Sequence, residues 1–241
     1  MKITSVNNEL VKETAKLLRG GGKYRNETGL FILEGKKCIE EAITSGLEIE
    51  HIFSTEGFEE HPKRIEVTEA VLAKISDAKT APKVVAVAKQ IQRKWSNDYK
   101  KVILLEGIKD AGNLGTILRT ASAFNIDAIV LYGDTVDLYN PKCVRSAVGN
   151  LWKIPVFKLN DLSSFTPYER IATLPSGKNV ENLKDYCPQE KVLVMFGSEA
   201  NGLSEELKNF ATKNITIEMS DKVESLNLSI SAGIIMYKLS I

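Results

Sequence analysis

The spacing of apolar residues predicts a small α/β unit in the first half of the chain. Apolar positions at helical spacing predict a helix over 4–19 that begins at Thr4 or Ser5, and the three glycines at 20–22 predict a mobile loop after it. Short apolar runs bounded by glycines or polar residues predict strands. The other elements predicted here are strands over 29–35, 49–54 and 84–88, and helices over 37–45 and 71–75.

The polar stretch 90–98 has no periodic apolar pattern and is the best candidate for a linker. Beyond it strands alternate with helices, which favours a mostly parallel sheet with ligands at the carboxyl ends of its strands. The predicted strands are 101–106, 128–132, 156–157, 171–174, 192–196 and 215–217, and the predicted helices are 115–124, 204–210 and 227–239. The fold class is therefore α/β, with one domain over 1–95 and another over 96–241.

Composition mainly excludes classes of protein. The 241 residues are 43% apolar and 26% charged, which is ordinary globular usage and excludes a disordered or fibrous chain. No apolar run approaches the roughly 18 residues of a membrane helix, and the N-terminus lacks a secretory pattern, so no membrane association is expected. Three dispersed cysteines (Cys38, Cys143 and Cys187) have no metal-ligand spacing, which predicts reduced thiols in the cytoplasm and no metal.

Charge leaves the partner open. The net charge is +1, but residues 1–37 contain eight basic and four acidic side chains. A basic surface of this kind could contact RNA phosphates, although a solvated lysine-rich surface explains the same excess.

Three segments at strand ends carry polar groups that a core does not need. Residues 105–121 place Asn113 where a helix N-cap is expected and Arg119 six positions later, while residues 196–206 run from a strand through glycines to a helix start at Ser204. For the first segment, a capping Asn with a surface Arg explains the residues as well as a functional site does. For the second, an ordinary strand–turn–helix connection is the favoured explanation. The third segment, 217–233, has more hydroxyl and amide groups at its helix start than capping needs.

Together these segments resemble the SpoU (TrmH) family of RNA ribose methyltransferases, within the SPOUT superfamily. The matching stretches are NLGTILRTASAFNID at 113–127, VMFGSEANGLS at 194–204 and IEMSDKVESLNLSISAGIIMY at 217–237. They occur in the family's order over 101–241. The stretch KYRNETGLFILEGKKCIEEA at 23–42 is similar to the substrate-binding domain that precedes many such enzymes.

The resemblance implies a fold, a reaction and partners. It implies a small ribosomal-protein-like α/β RNA-binding domain followed by a trefoil-knotted SPOUT methyltransferase domain with a mostly parallel sheet. It also implies S-adenosylmethionine as methyl donor, a ribose 2′-hydroxyl of structured RNA as acceptor, and a homodimer whose active site is completed across the interface. Ribosomal RNA is favoured over transfer RNA, because the additional domain can bind a structured loop.

The resemblance also implies roles for individual residues. The expected catalytic residues are Asn113, Arg119, Glu199, Ser225 and Asn227, with Glu199 holding Arg119 or Asn113. The expected cofactor contacts are Thr173, Leu174, Gly197, Ser198, Ile217, Met219, Ser225 and Leu226. The expected RNA contacts are Lys23, Arg25, Arg119 and Arg145. Whether Arg119 removes the ribose proton or clamps a phosphate stays open, since a guanidinium with a pKa above about 12 rarely deprotonates.

Other functions stay open at this point. The chain could methylate transfer RNA, methylate a base, or be a non-catalytic RNA-binding or ribosome-assembly protein that kept the fold. The complete set of Asn113, Arg119, Glu199 and Asn227 disfavours the non-catalytic alternative. A nucleotide-dependent oxidoreductase is disfavoured because the glycine fingerprint of dinucleotide-binding folds is missing.

Overall fold

A computed structural model describes residues 2–78, 80 and 82–241. Their contacts divide the chain into two compact units. The N-terminal unit comprises the chain up to Gln92 together with Asp137–Trp152, and the C-terminal unit comprises Arg93–Val136 and Lys153–Ile241. The chain therefore passes between the units three times, which differs from the single boundary at 95/96 expected from the sequence.

Strands and helices follow one another along the described chain. The strands are β1 (Lys2–Ile3), β2 (Leu30–Glu34), β3 (Ile49–Ser54), β4 (Arg64–Val67), β5 (Val84–Lys89), β6 (Lys101–Glu106), β7 (Ala128–Tyr132), β8 (Val156–Leu159), β9 (Glu169–Thr173), β10 (Glu181–Asn182), β11 (Val192–Phe196) and β12 (Lys213–Thr216). The helices are α1 (Glu9–Arg19), α2 (Gly21–Thr28), α3 (Lys36–Thr44), α4 (Glu69–Lys74), α5 (Ala111–Ala123), α6 (Pro141–Ala147), α7 (Glu205–Phe210) and α8 (Leu228–Ser240). A short 3-10 helix covers Ser163–Phe165.

The N-terminal unit is built on a mixed five-stranded sheet in the order β1-β4-β3-β5-β2. Strand β5 is antiparallel to both of its neighbours, whereas β3, β4 and β1 are parallel to one another. Apolar side chains of α1 and of the sheet form a common core, including Val11, Leu17, Phe53 and Val85.

Two predictions for the start of this unit are wrong. Helix α1 begins at Glu9 rather than at Thr4 or Ser5, because the side chain of Asn8 caps it by accepting from the backbone N–H of Leu10. The glycines at 20–22 do not form a mobile loop, because α2 begins at Gly21 and leads directly to β2. The glycines interrupt the helical path for about one residue only.

The segment Asp137–Trp152 belongs to the core of the N-terminal unit. The guanidinium of Arg25 donates to Asp137 Oδ2 at 2.5 Å and to the carbonyl oxygen of Leu17, and Arg25 is only 2% exposed. The ring of Tyr139 lies 4.7 Å from that of Phe31. The expected RNA contact at Arg25 is therefore wrong, since its charge is buried and neutralised within the protein.

A parallel seven-stranded sheet forms the C-terminal unit, in the order β10-β12-β9-β11-β6-β7-β8. This confirms the α/β class and the mostly parallel sheet. Strands β6, β7 and β11 have the predicted bounds, because strands buried on both faces are continuous apolar runs. Helices α5 and α8 pack against each other, with Gly233 facing the methyl group of Thr120.

Among the described helices, none combines the length and the apolar character that crossing a bilayer requires. The described residues also contain no group of three or more His, Cys, Asp or Glu side chains arranged to hold a metal ion.

Candidate active site

Three polar side chains form a hydrogen-bonded row at the carboxyl edge of the parallel sheet. Asn113 Nδ2 donates to Glu199 Oε1 at 2.8 Å, and Asn227 Nδ2 donates to Asn113 Oδ1 at 3.1 Å. Asn227 Oδ1 in turn accepts from the backbone N–H and the hydroxyl of Ser229, at 2.8 and 2.7 Å. A carboxylate can only accept, so Glu199 at one end and the start of α8 at the other fix the orientation of both amides.

The three members of this polar row come from three different chain segments. Asn113 lies in the first turn of α5, Glu199 in the turn after β11, and Asn227 at the N-cap of α8. The sequence predicts Asn113 as the N-cap of α5, and this prediction is wrong. Asp110 takes that place by accepting from the backbone N–H of Asn113 at 2.8 Å, which leaves the side chain of Asn113 available for the row.

The turn that carries Glu199 folds back closely on itself. A Cβ placed on Gly197 would lie 1.9 Å from the carbonyl carbon of Gly202, so only glycine fits there. The backbone N–H of Gly202 donates to the carbonyl of Ser198 at 2.9 Å, and the N–H of Ser204 donates to Glu106 Oε2 at 2.8 Å. These contacts tie the turn to the end of β6 and hold Glu199 beside Asn113.

Two cavities open at this edge of the sheet and share part of their walls. The larger cavity, of about 930 Å³, extends from Glu106 and Asn113 to the turn at 198–204. The smaller cavity, of about 560 Å³, lies between the ends of β9, β11 and β12 and the start of α8. Four residues line both cavities: Ser198, Glu199, Gly202 and Asn227. Two members of the polar row therefore lie where the cavities meet.

The smaller cavity has walls that are more apolar than polar, as is typical of sites for small molecules. All eight residues expected to contact the cofactor line this cavity: Thr173, Leu174, Gly197, Ser198, Ile217, Met219, Ser225 and Leu226. The hydroxyl of Thr173 is used in the protein, since it donates to the carbonyl of Met195 at 2.9 Å. The proton of this hydroxyl is therefore used within the protein, and its oxygen can still accept from a ligand.

Comparison with known protein families identifies the family of this chain. Residues 100–237 match the SpoU rRNA Methylase family. The chain belongs to the SpoU rRNA methylase family. Residues 8–86 match the MRM3-like substrate binding domain, so the SpoU match and this second match cover most of the chain.

The SpoU relatives extend over nearly the full chain. An uncharacterized tRNA/rRNA methyltransferase of Synechocystis is 32% identical over 98% of this chain and 92% of that protein. The 23S rRNA (guanosine(2553)-2′-O)-methyltransferase RlmP of Bacillus subtilis is 30% identical over 99% of this chain and 98% of that protein. The crystal structure of an AdoMet-bound rRNA methyltransferase from Sinorhizobium meliloti is 26% identical, with a TM-score of 0.87 over 99% of this chain and 96% of that one.

One residue of the SpoU motifs lies apart from the others. Arg119 is exposed, lines neither cavity, and has no hydrogen bond or ion pair within the described part of the chain. Arg119 lies six positions after Asn113 on the helix, so its side chain points about 120° away from that of Asn113. Glu199 therefore holds Asn113 and not Arg119 in this chain. Ser225, also in a SpoU motif, lines the smaller cavity.

The remaining expected RNA contacts lie in the N-terminal unit. Lys23 is exposed, with its ammonium 3.9 Å from Glu27. Arg145 is on α6 and makes ion pairs with Glu34 at 3.5 Å and Asp77 at 3.1 Å. Lys23 has only this long, exposed ion pair to exchange for a phosphate, whereas Arg145 would exchange one or both of its carboxylates.

No described cysteine lines either of the two cavities of this SpoU site. Cys143 is buried on α6, and burial raises the pKa of its thiol to about 12. Burial and the charge of Glu41 raise the pKa of Cys38 to about 11. Neither thiol forms an appreciable amount of thiolate at neutral pH, so neither is a nucleophile there.

Proposed function

We propose that this protein transfers a methyl group from S-adenosylmethionine to the 2′-hydroxyl of a ribose in structured RNA, with ribosomal RNA as its substrate class. The observation that carries the proposal is the shared wall of the two cavities, which includes Glu199 and Asn227 of the polar row. Group transfer requires the donor and the acceptor to be held next to each other, and a donor in the smaller cavity would meet an acceptor in the larger cavity at this shared wall. The names of RlmP and of the AdoMet-bound structure support the same reaction.

The smaller cavity has the chemistry that S-adenosylmethionine requires. Leu174, Phe196 and Ile217 provide apolar surface for the adenine ring, and strand ends present backbone groups to its polar edges. The volume of about 560 Å³ lies within the range of small-molecule sites. When bound, S-adenosylmethionine supplies a methyl group on a positively charged sulfur.

The polar row would position the acceptor ribose. Asn113 uses one N–H and one lone pair within the row, which leaves a second N–H and a second lone pair for a ligand. Because Glu199 and α8 fix both amides in advance, no reorientation is needed when the ribose arrives. As the methyl group leaves the sulfur and bonds to the ribose oxygen, the proton of the hydroxyl passes to water late in the step. For Arg119 we favour a clamp on the adjacent phosphate over a role as base, because its guanidinium keeps its charge at neutral pH.

We also propose that the active site is completed in a homodimer, where Arg119 comes from the second copy. Within one chain, Arg119 lies away from the polar row. Helix α8, which packs on α5, exposes Ile230, Ile234 and Tyr237 at helical spacing, and the exposed Ile241 follows its last residue. A second copy of this face would cover the stripe and bring another α5 alongside.

Family membership supports the remaining parts of the proposal, namely a trefoil knot in the C-terminal unit, RNA binding by the domain over 1–95 and a cytoplasmic location. The match of residues 8–86 to a substrate binding domain supports the second of these. Removing residues 1–95 would be a poor test, because Asp137 and Tyr139 would lose Arg25 and Phe31. Substitution of Lys23 tests RNA binding without that damage.

The deciding experiment is transfer of labelled methyl from S-adenosylmethionine to total RNA from cells that lack this protein. Wild type and Arg119→Ala run in parallel, cofactor binding is measured by calorimetry, and the product is digested to nucleosides. A 2′-O-methylated nucleoside formed only by wild type is expected. A methylated base would contradict the ribose assignment. Absence of both transfer and cofactor binding would favour the RNA-binding alternative. Cofactor binding without transfer would point to a precursor or an assembly-stage particle as the substrate.

A further inference from the structure

The larger cavity has an acidic wall, although its proposed ligand is a polyanion. Four carboxylates line it: Glu106, Asp110, Asp134 and Glu199. Among the described residues that line it, Lys109 is the sole lysine or arginine. An RNA backbone that enters this cavity therefore meets a single cationic side chain from this chain.

Three of the four carboxylates maintain the geometry of the site. Glu106 accepts from the N–H of Ser204, Asp110 accepts from the N–H of Asn113, and Glu199 accepts from the side chain of Asn113. Each of these bonds fixes a backbone turn or an amide at the site. Their negative charge is thus explained by local structure and need not attract a ligand.

The fourth carboxylate has a different partner. Asp134 Oδ2 lies 2.5 Å from Lys109 Nζ, and the side chains of Asp134 and Lys109 are 92% and 60% exposed. Exposed pairs of this kind are weak and are screened by salt. Asp134 follows β7 and Lys109 precedes α5, so the pair joins two loops at the opening of the cavity.

We propose that Lys109 binds an RNA phosphate in the larger cavity and that Asp134 holds its ammonium in place until the phosphate replaces the carboxylate. The inference rests on the proposed RNA substrate. Lys109 lies four positions before Asn113, and both line the same cavity, so an RNA segment in this cavity can meet the ammonium and the polar row together. Exchange of one oxyanion for another conserves the charge-assisted hydrogen bond of the ammonium.

The test uses the full-length protein and an unmodified 23S rRNA transcript made in vitro. Binding is measured by filter retention between about 50 and 200 mM salt, the range over which phosphate contacts change affinity most visibly. The variants are Lys109→Ala and Asp134→Asn. Lys100→Ala is the matched control, because Lys100 makes a similarly exposed pair with Glu190 at 2.6 Å and lies just before the amino end of β6.

The two variants should change RNA affinity in opposite directions. Lys109→Ala should weaken binding about fivefold at 0.1 M salt and reduce the slope of log affinity against log salt by about 0.7–0.9. Asp134→Asn should strengthen binding about twofold, because the ammonium no longer has to leave a carboxylate. Lys100→Ala should match wild type, and affinity for S-adenosylmethionine should be the same in all four proteins.

Specific outcomes overturn the inference. If Lys109→Ala matches Lys100→Ala in affinity and in slope, Lys109 binds no phosphate. If Asp134→Asn weakens RNA binding as much as Lys109→Ala does, the pair is structural and the exchange is wrong. If wild type methylates RNA but Lys109→Ala binds RNA as wild type does, the inference alone fails. A wild type that neither binds nor methylates RNA overturns the proposed function as well.

Discussion

The side-chain amide of Asn113 donates to the carboxylate of Glu199 at 2.8 Å, although 86 positions separate the two residues in the sequence. Parallel pairing of β6 with β11 creates this contact, because the segments that follow the two strands leave the same edge of the sheet. Glu199 can only accept, so it determines which way the Asn113 amide faces.

Glu199→Gln should therefore lower the rate of methyl transfer by about 10- to 100-fold. A glutamine can donate from its own NH2 group, which allows the hydrogen bonds of the row to reverse their direction. Single-turnover transfer with saturating S-adenosylmethionine measures this effect. Thermal unfolding should change little, because the row is small and partly exposed. Glu205→Gln, at an exposed carboxylate on α7, is the control and should leave transfer unchanged. Equal rates for the two variants would remove Glu199 from the orienting role.

Arg119→Ala should abolish transfer and preserve cofactor binding, and so should Asn113→Ala. A mixture of the two variants should recover activity, because a mixed dimer contains one site with Asn113 from one copy and Arg119 from the other. Random exchange of subunits would give about a quarter of the wild-type rate. If both residues acted within one chain, the mixture would show only the sum of the separate residual rates.

Gly197→Ala should destabilise the C-terminal unit by about 3 kcal/mol or more, because backbone atoms occupy the place of the new methyl group. Urea unfolding measures the loss, and binding of S-adenosylmethionine should fall with it. Gly177→Ala is the matched control, since the nearest atom to its new Cβ would be 4.0 Å away. Equal free energies of unfolding for the two variants would show that the turn after β11 can rearrange to accept a methyl group without loss of stability.

The cysteines should differ in reactivity toward iodoacetamide at pH 8. Cys187 is exposed and should react first, whereas Cys143 should react only after unfolding, because burial raises its pKa to about 12. Raising the pH toward 11 should accelerate the reaction of Cys38 with iodoacetamide, because the pKa of its thiol is raised to about 11. Cys187→Ser should remove the fast phase, and rapid labelling of Cys143 in the native protein would contradict its burial.

The sequence predicts the C-terminal sheet better than the N-terminal unit, for a physical reason. Strands β6, β7 and β11 are buried on both faces and therefore stand out as apolar runs. Helices α2 and α6 have no such pattern: α2 contains two glycines, and α6 is a short helix whose place is decided by contacts with the N-terminal sheet. Tertiary contacts override weak local preference in both cases.

The sequence also brings together part of the candidate site. The motifs of Asn113, Glu199 and Asn227 follow elements whose ends meet at one edge, and the structure joins these side chains in a row. The burial of Arg25 could not be predicted from its neighbours in the sequence, because its partner Asp137 lies 112 positions away. The Lys109–Asp134 pair joins residues 25 positions apart and could not be predicted for the same reason, although Lys109 lies within the polar segment 105–121.

The threading of residues 137–152 into the N-terminal unit has a consequence for synthesis of the chain. The last strand of the N-terminal sheet ends at Lys89, yet Arg25 has no buried counter-ion until Asp137 has left the ribosome. By then β6, α5 and β7 have also emerged, and β6 still lacks its neighbour β11. The N-terminal unit can therefore reach its final structure only after part of the C-terminal unit has been synthesised.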